Sequence, residues 1–236
     1  MTTKQSKHFH DDSYRTQGFA AQRMYPNEEL LRFFGTYYFQ MLIEERRKLR
    51  VLEVGCGSGA NLWMIAREGF EAHGLDLSSE ALELCRTMLG RWQTTATLKH
   101  GSMTAIDYPN AYFDIVVDVF SANCMHEKDF GTFLDEMARV MRPGGRFFSI
   151  TPSKQNDSFR NPGPSKLIDA STLDGLHRKT SPFFGQNYPF RFTEPEDFQA
   201  LLEARNFDVP RNERIGRTYR NRAEYFEFTS IHACKR

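Results

Sequence analysis

Three glycines at alternate positions are the residues of this chain best suited to hold a nucleotide. Gly55, Gly57 and Gly59 follow an apolar stretch, Leu49 to Val54, which predicts a buried parallel strand, and a predicted helix comes after them. Glycine lets a ligand approach the backbone where a side chain would block it, and N–H groups at a helix start face such a ligand. A plain tight turn has the same composition, so the rest of the chain must decide.

One reading of this turn is a dinucleotide site. Gly55, Gly57 and Ala60 fit the pattern G-x-G-x-x-G/A, and Asp76 lies near the distance at which an acid binds a ribose hydroxyl. The turn alone therefore allows a NAD-dependent oxidoreductase.

The elements around the turn alternate between strand and helix. Ser78 is a plausible N-cap for one helix, and Phe130 to Met141 carries apolar residues on one helical face. Strands are predicted at Leu49 to Val54, Phe70 to Asp76, Thr94 to His100, Phe113 to Phe120 and Arg146 to Thr151. This alternation predicts a parallel sheet covered on both faces.

The two ends of the chain extend this core, and 1–236 is predicted to be a single domain. Residues 1–17 are polar and predict a frayed arm within an N-terminal lid or helical segment, 1–47, whose helix runs from Pro26 to about Arg47. A cofactor-binding core follows over 48–151. Residues 152–190 hold five prolines and predict a partly folded insertion over the ligand site. Residues 191–236 predict a helix and two strands.

Composition excludes several classes of protein. The 236 residues are 40% hydrophobic and carry a formal charge of +1, and they contain no recognisable nucleic-acid module. The four cysteines lie far apart without metal-ligand spacing, which predicts no metal site and fits a reducing cytoplasm. No apolar run approaches the roughly 18 residues of a membrane span, so we expect neither a membrane nor a nucleic acid as partner.

Five motifs in order resemble the class I S-adenosylmethionine-dependent methyltransferases. They are the Glu53-x-Gly55-x-Gly57-x-Gly59 turn, the acid Asp76 ending the second strand, Phe113-Asp114 opening the fourth, the run 138–145, and the fifth strand. The resemblance implies a Rossmann-like, doubly wound, mostly parallel sheet of seven strands, with an antiparallel last strand and helices on both faces. It also implies S-adenosylmethionine as cofactor and S-adenosylhomocysteine as product.

The resemblance assigns cofactor roles to residues along the strand ends. Glu53 would position the cationic methionyl end, Asp76 would accept the ribose hydroxyls, and Ser102 stands where many members carry an acid. The complete set of implied cofactor residues is Glu53, Gly55, Cys56, Gly57, Gly59, Asp76, Leu77, Ser102, Met103, Asp118 and Phe120.

The acceptor is expected to be a small metabolite or natural-product intermediate, methylated on O or N by in-line displacement. His126 and Glu127 follow the fourth strand, where a general base would be useful, although they could also cap the next helix. Candidate substrate-binding residues are Tyr14, Tyr25, His126, Phe183 and Tyr188. A monomer or homodimer is expected, and the alternatives are a NAD-dependent oxidoreductase or a non-catalytic regulatory protein that binds S-adenosylmethionine.

Overall fold

A seven-stranded sheet forms the centre of the computed structural model, which describes residues 2–236, with side chains from residue 7 onward apart from residue 21. The strands are β1 Arg50–Val54, β2 Glu71–Asp76, β3 Thr97–His100, β4 Phe113–Val119, β5 Met141–Pro152, β6 Thr172–Leu173, β7 Phe190–Arg191, β8 Phe207–Tyr219 and β9 Glu224–Lys235. The helices are α1 Thr2–Gln17, α2 Glu28–Tyr37, α3 Ile43–Arg46, α4 Leu62–Arg67, α5 Ser79–Arg91, α6 Glu127–Val140, α7 Asp157–Arg160 and α8 Pro195–Glu203.

The order of strands in the large sheet is β3-β2-β1-β4-β5-β9-β8. The first five are parallel, and β9 runs antiparallel to both of its neighbours, β5 and β8. The predicted fold class is thus confirmed. β6 and β7 form a separate small sheet within and just after the insertion, the name used here for residues 152–190.

Buried side chains on the two faces of the sheet form two cores. Val51 belongs to one core and Leu52 to the other, as the alternation of side chains along a strand requires. The first core includes residues of α2, α4 and α5, and the second includes residues of α6 and α8. Both faces of the sheet are therefore covered, which explains the nearly continuous apolar sequence of β4.

The N-terminal segment differs from the sequence prediction in two places. Residues 2–17 form the helix α1 rather than a frayed arm. The helix expected from Pro26 to Arg47 is two helices, because the chain leaves helical geometry at Tyr38 and starts again after Leu42, whose N–H donates to Glu45 Oε2 at 3.1 Å.

Candidate functional site

The turn between β1 and α4 requires glycine at three positions. Gly55, Gly57 and Gly59 have φ angles of +64°, +51° and +86°, in the left-handed region that favours glycine. A side chain on Gly59 would also meet Cys85 Sγ at 2.7 Å, and one on Gly55 would overlap the side chain of Ser121. The N–H groups of Gly55 and Cys56 donate to the Leu75 carbonyl and that of Gly59 donates to the Cys56 carbonyl, so a ligand gains access to this turn because side chains are absent from it.

Asp76 fixes this turn from the end of the neighbouring strand. Its Oδ2 accepts a hydrogen bond from the Gly57 N–H at 2.8 Å, and its Oδ1 accepts one from the Ser78 N–H at 2.9 Å. Burial raises the pKa of Asp76, and these two backbone hydrogen bonds act in the opposite direction. The carboxylate still lines the cavity, so its remaining lone pairs can accept ligand hydroxyls.

Glu53 is a buried carboxyl group with one unsatisfied oxygen. Its Oε1 accepts a hydrogen bond from Asn61 Nδ2 at 2.6 Å, whereas its Oε2 has no hydrogen-bond partner in the described part of the chain. Burial raises its pKa to about 8, opposed by the Asn61 hydrogen bond and the charge of Arg23. A cationic ligand group would satisfy this oxygen and favour the ionised carboxylate.

These residues open into one cavity of about 860 Å³, toward the upper end of the roughly 300–1,000 Å³ typical of small-ligand sites. Nine of the eleven residues implied for the cofactor line it: Glu53, Gly55, Cys56, Gly57, Asp76, Leu77, Ser102, Met103 and Phe120. Ser102 Oγ is 2.7 Å from Thr104 Oγ1, which gives this edge hydroxyl groups where an acid was expected. The donors, acceptors and unpaired carboxyl oxygen fit S-adenosylmethionine.

Asp118 and Gly59 do not line the cavity. Asp118 is fully buried, and its Oδ1 accepts hydrogen bonds from the Ser121 and Ala122 N–H groups while its Oδ2 accepts one from Ser149 Oγ at 2.8 Å. Burial raises its pKa to about 6. Asp118 thus holds the bend after β4, and its effect on the cavity runs through the position of Ser121, which lines it.

His126 and Glu127 also lie outside the cavity lining. His126 Nδ1 is 3.5 Å from Asp169 Oδ2 of the insertion, and the Glu127 N–H donates to the same oxygen at 3.2 Å. These contacts join the start of α6 to the insertion. The geometry gives the pair a structural role and does not support the predicted general base.

The four other substrate residues divide evenly. Tyr14 and Phe183 line the cavity, and Tyr14 Oη lies 3.1 Å from where a Cβ on Gly57 would stand. Tyr25 is 65% exposed and packs against Trp63 and Trp92 instead. Tyr188 is buried and does not line the cavity, and its ring packs against Phe9 and His10 of α1.

Several cavity residues carry no local sequence signal for a site. His10 lies four residues before the predicted Tyr14 on one face of α1, a helix that the sequence did not predict. Arg23 lines the cavity beside Glu53, and Arg217 reaches it from β8. Tertiary packing brings these residues together, so only the amphipathic spacing in α1 could have indicated one of them.

A Rossmann-like sheet of this strand order, with a glycine turn and acids at the ends of β1 and β2, defines a protein that binds an adenosine-containing cofactor. A family model described as a methyltransferase domain matches residues 51–145. Over these residues the chain is similar to the class I S-adenosylmethionine-dependent methyltransferase superfamily. In the described residues no helix is long and apolar enough to cross a membrane, and no cluster of three or more His, Cys, Asp or Glu side chains could hold a metal.

Similar proteins include several small-molecule methyltransferases. A fatty-acid O-methyltransferase from Mycolicibacterium smegmatis is 40% identical over 102 residues, which are 42% of this chain, and the chain spans only 35% of that relative's length. A ubiquinone biosynthesis O-methyltransferase from a Shewanella species is 28% identical over 76% of this chain and 71% of its own length. The structure of Burkholderia thailandensis 1,6-didemethyltoxoflavin-N1-methyltransferase, with 1,6-didemethyltoxoflavin and S-adenosylhomocysteine bound, matches with a TM-score of 0.60 at 18% identity, covering 99% of this chain and 88% of that one.

Proposed function

We propose that this protein transfers the methyl group of S-adenosylmethionine to an O or N atom of a small-molecule acceptor. The observation that carries the proposal is the single cavity in which the unpaired Glu53 oxygen, the glycine turn and Asp76 adjoin a wall of aromatic side chains. One part of the cavity offers the polar groups a cofactor needs, and the other offers apolar surface for an organic acceptor. The similar proteins named above, which include methyltransferases of fatty acids and of ubiquinone biosynthesis, support a small-molecule acceptor.

When bound, S-adenosylmethionine supplies a methyl group on a sulfonium sulfur, which is already a good leaving group. An acceptor atom placed in line would take this methyl group with loss of the carbon–sulfur bond, and the acceptor's proton would pass to water or to a base. The chain mainly contributes positioning: Glu53 would hold the methionyl end of the cofactor, Asp76 would hold its ribose, and α1 shields the cavity. Burial lowers the pKa of His10 to about 4, so this cavity imidazole is neutral at pH 7 and is a weak base.

Calorimetric titration with S-adenosylhomocysteine and, separately, NAD tests the cofactor. We expect S-adenosylhomocysteine to bind and NAD not to bind, because the antiparallel β9 between β5 and β8 departs from the 3-2-1-4-5-6 order of dinucleotide folds. Binding of NAD alone would replace the methyltransferase proposal by the oxidoreductase.

A non-catalytic protein that binds the same cofactor would pass the titration but not the next experiment. Incubation with methyl-labelled S-adenosylmethionine and a panel of hydroxylated and aminated aromatic acceptors should give a labelled product.

We further propose that the protein acts in the cytoplasm as a monomer or homodimer without nucleic acid. Its four free cysteines and its near-neutral charge support this setting.

A further inference from the structure

One face of β8 forms part of the cavity wall. Ile215, Arg217 and Tyr219 occupy alternate positions along the strand, and all three line the cavity. Arg214, three residues before Arg217, does not line it and instead forms ion pairs with two glutamates at the start of α8, at 3.1 and 2.8 Å. Among the described arginines of β8, Arg217 is thus the one whose guanidinium belongs to the cavity.

Three phenylalanines from separate segments build an aromatic wall in the same cavity: Phe120 after β4, Phe183 in the insertion and Phe228 on β9. The ring centroids of Phe120 lie 5.2 Å from Phe228 and 6.2 Å from Phe183. Phe120 has a φ angle of +58°, a strained conformation for this residue, and it lines the cavity. Rings at these separations offer both faces and edges to another planar ring.

The charge of Arg217 is only weakly satisfied. Its partner is Glu28 at the start of α2, another cavity residue, and their side chains are 47% and 60% exposed. Exposed ion pairs of this kind contribute about 0–1 kcal/mol, so a ligand can displace Glu28 at small cost. Lys7, another cation of the lining, pairs with Asp11 at an Nζ to Oδ2 distance of 2.6 Å, and these two side chains are only 35% and 10% exposed.

We propose that the methyl acceptor is an aromatic molecule that carries a carboxylate, and that Arg217 binds this carboxylate while the aromatic wall packs against the ring. This inference rests on the proposed function and adds a class of substrate to it. A guanidinium presents paired N–H groups that match the two oxygens of a carboxylate, which makes it selective for that group over a neutral amide. Arg217 is then the residue that determines specificity for the acid.

The test compares two probes that differ in one group, the carboxylate of 3-hydroxy-2-naphthoate and the neutral amide of 3-hydroxy-2-naphthamide, titrated into protein saturated with S-adenosylhomocysteine. We expect the wild-type protein to bind the carboxylate at least about tenfold more tightly, as hydrogen bonds to a charged group permit. Arg217→Met should bring the two affinities within about twofold, and Glu28→Gln should strengthen binding of the carboxylate by removing its competitor. Arg214→Met, the matched control on the same strand, should keep the wild-type preference.

Equal affinities in the wild-type protein, a preference that survives in Arg217→Met, or failure of the carboxylate to bind would each overturn the inference. The affinity for S-adenosylhomocysteine, measured alone in every variant, separates this result from the proposed function. Normal binding of S-adenosylhomocysteine without a preference for the acid rejects the substrate class only. Loss of S-adenosylhomocysteine binding in the wild-type protein rejects the methyltransferase proposal itself.

Discussion

Glu53 combines complete burial with an unpaired oxygen, and this combination makes its protonation sensitive to ligands. Its pKa is raised from about 4.5 to about 8, so in the ligand-free protein it is mostly protonated at pH 7. The ammonium group of S-adenosylhomocysteine placed beside Glu53 would favour the ionised form. Binding is then coupled to the release of a proton.

We therefore predict that binding of S-adenosylhomocysteine at pH 7 releases about one proton per protein. Calorimetry in buffers of different ionisation enthalpy measures this number directly. Glu53→Gln should release none and bind more weakly. An equal binding enthalpy in all buffers for the wild-type protein would contradict the prediction.

The same pKa sets a dependence of folding stability on pH. The pKa of Glu53 in the folded state exceeds its unfolded value, so the folded protein binds the proton more tightly. The contribution of this protonation to the free energy of unfolding is complete below pH 4.5 and is lost as the pH rises toward 8. Glutamine resembles the protonated form of Glu53. The unfolding temperature of Glu53→Gln relative to that of the wild type should therefore be higher at pH 8 than at pH 5. Thermal unfolding of both ligand-free proteins at these two pH values provides the measurement.

Asp76 is predicted to contribute to cofactor affinity more than to folding. Asp76→Ala should weaken binding of S-adenosylhomocysteine by about 1.5–3 kcal/mol, the usual loss when a charged acceptor is removed from buried partners. Asp107→Ala is the control, because the Asp107 side chain is 96% exposed. If a folded Asp76→Ala protein bound S-adenosylhomocysteine with unchanged affinity, Asp76 would not bind the cofactor, and its role would be limited to accepting hydrogen bonds from the Gly57 and Ser78 N–H groups.

The parts of the site that the sequence predicted are those set by local backbone. The φ angles of Gly55 and Gly57 require glycine, and Glu53 and Asp76 stand at strand ends that meet at one sheet edge. Arg217 and Arg23 could not be assigned because nothing near them in sequence specifies what they face. His126 was predicted from its residue type and its position after β4, and nothing in the sequence indicated that its Nδ1 lies 3.5 Å from Asp169 of the insertion.

At the scale of elements, a buried carboxylate fastens the insertion to the sheet. Glu224 on β9 has no exposed surface, and it accepts hydrogen bonds from Ser158 Oγ at 2.9 Å, Arg178 Nε at 2.8 Å and Thr180 Oγ1 at 2.6 Å. A second link joins Asp157 Oδ2 to the Tyr225 N–H at 2.7 Å. The insertion is thereby anchored along the β8–β9 hairpin.

Removal of this carboxylate should destabilise the protein and release the insertion. We expect Glu224→Ala to lower the free energy of unfolding by about 3–5 kcal/mol, because it leaves a partly buried guanidinium and two hydroxyl groups unpaired. Urea denaturation gives the energy, and limited proteolysis within 152–190 reports the release. Glu213→Ala on β8, whose side chain is 47% exposed, should have little effect on either. Similar losses for the two variants would argue against the anchor.

The elements themselves were predictable to the extent that their apolar periodicity was regular. The β4 strand and α6 have unbroken patterns, and the structure places their ends within three residues of the predicted ones. In α1 the polar composition concealed a helix, since only one face contacts the cavity. Around Tyr38 aromatic residues continued a helical spacing through a turn, because packing against Phe70 and Phe34 also requires apolar residues there.

For the molecule as a whole, α1 bridges the two sides of the cavity, from α5 to the insertion. Arg15 pairs with Glu80 of α5 at 3.3 Å, and the rings of Phe9 and His10 pack against Tyr188 of the insertion at 5.2 and 5.0 Å. The ion pair is exposed and contributes little. The insertion, by contrast, has the buried anchor at Glu224, so we propose that α1 is the moving lid and the insertion is a fixed wall.

Hydrogen exchange with and without S-adenosylhomocysteine distinguishes these two segments. Peptides covering residues 7–17 should exchange fast in the free protein and slowly in the complex, because the ligand adds contacts beneath Tyr14 and closes α1 over the glycine turn. Peptides from 152–190 should be equally protected in both states. Glu224→Ala serves as the positive control, since it should make the insertion exchange fast in the free protein while leaving the response of α1 intact. Two results would reverse the assignment: exchange in the insertion of the wild-type protein that slows when ligand binds, or strong protection of α1 without ligand. The acceptor would then have to enter past Phe183 and Phe184.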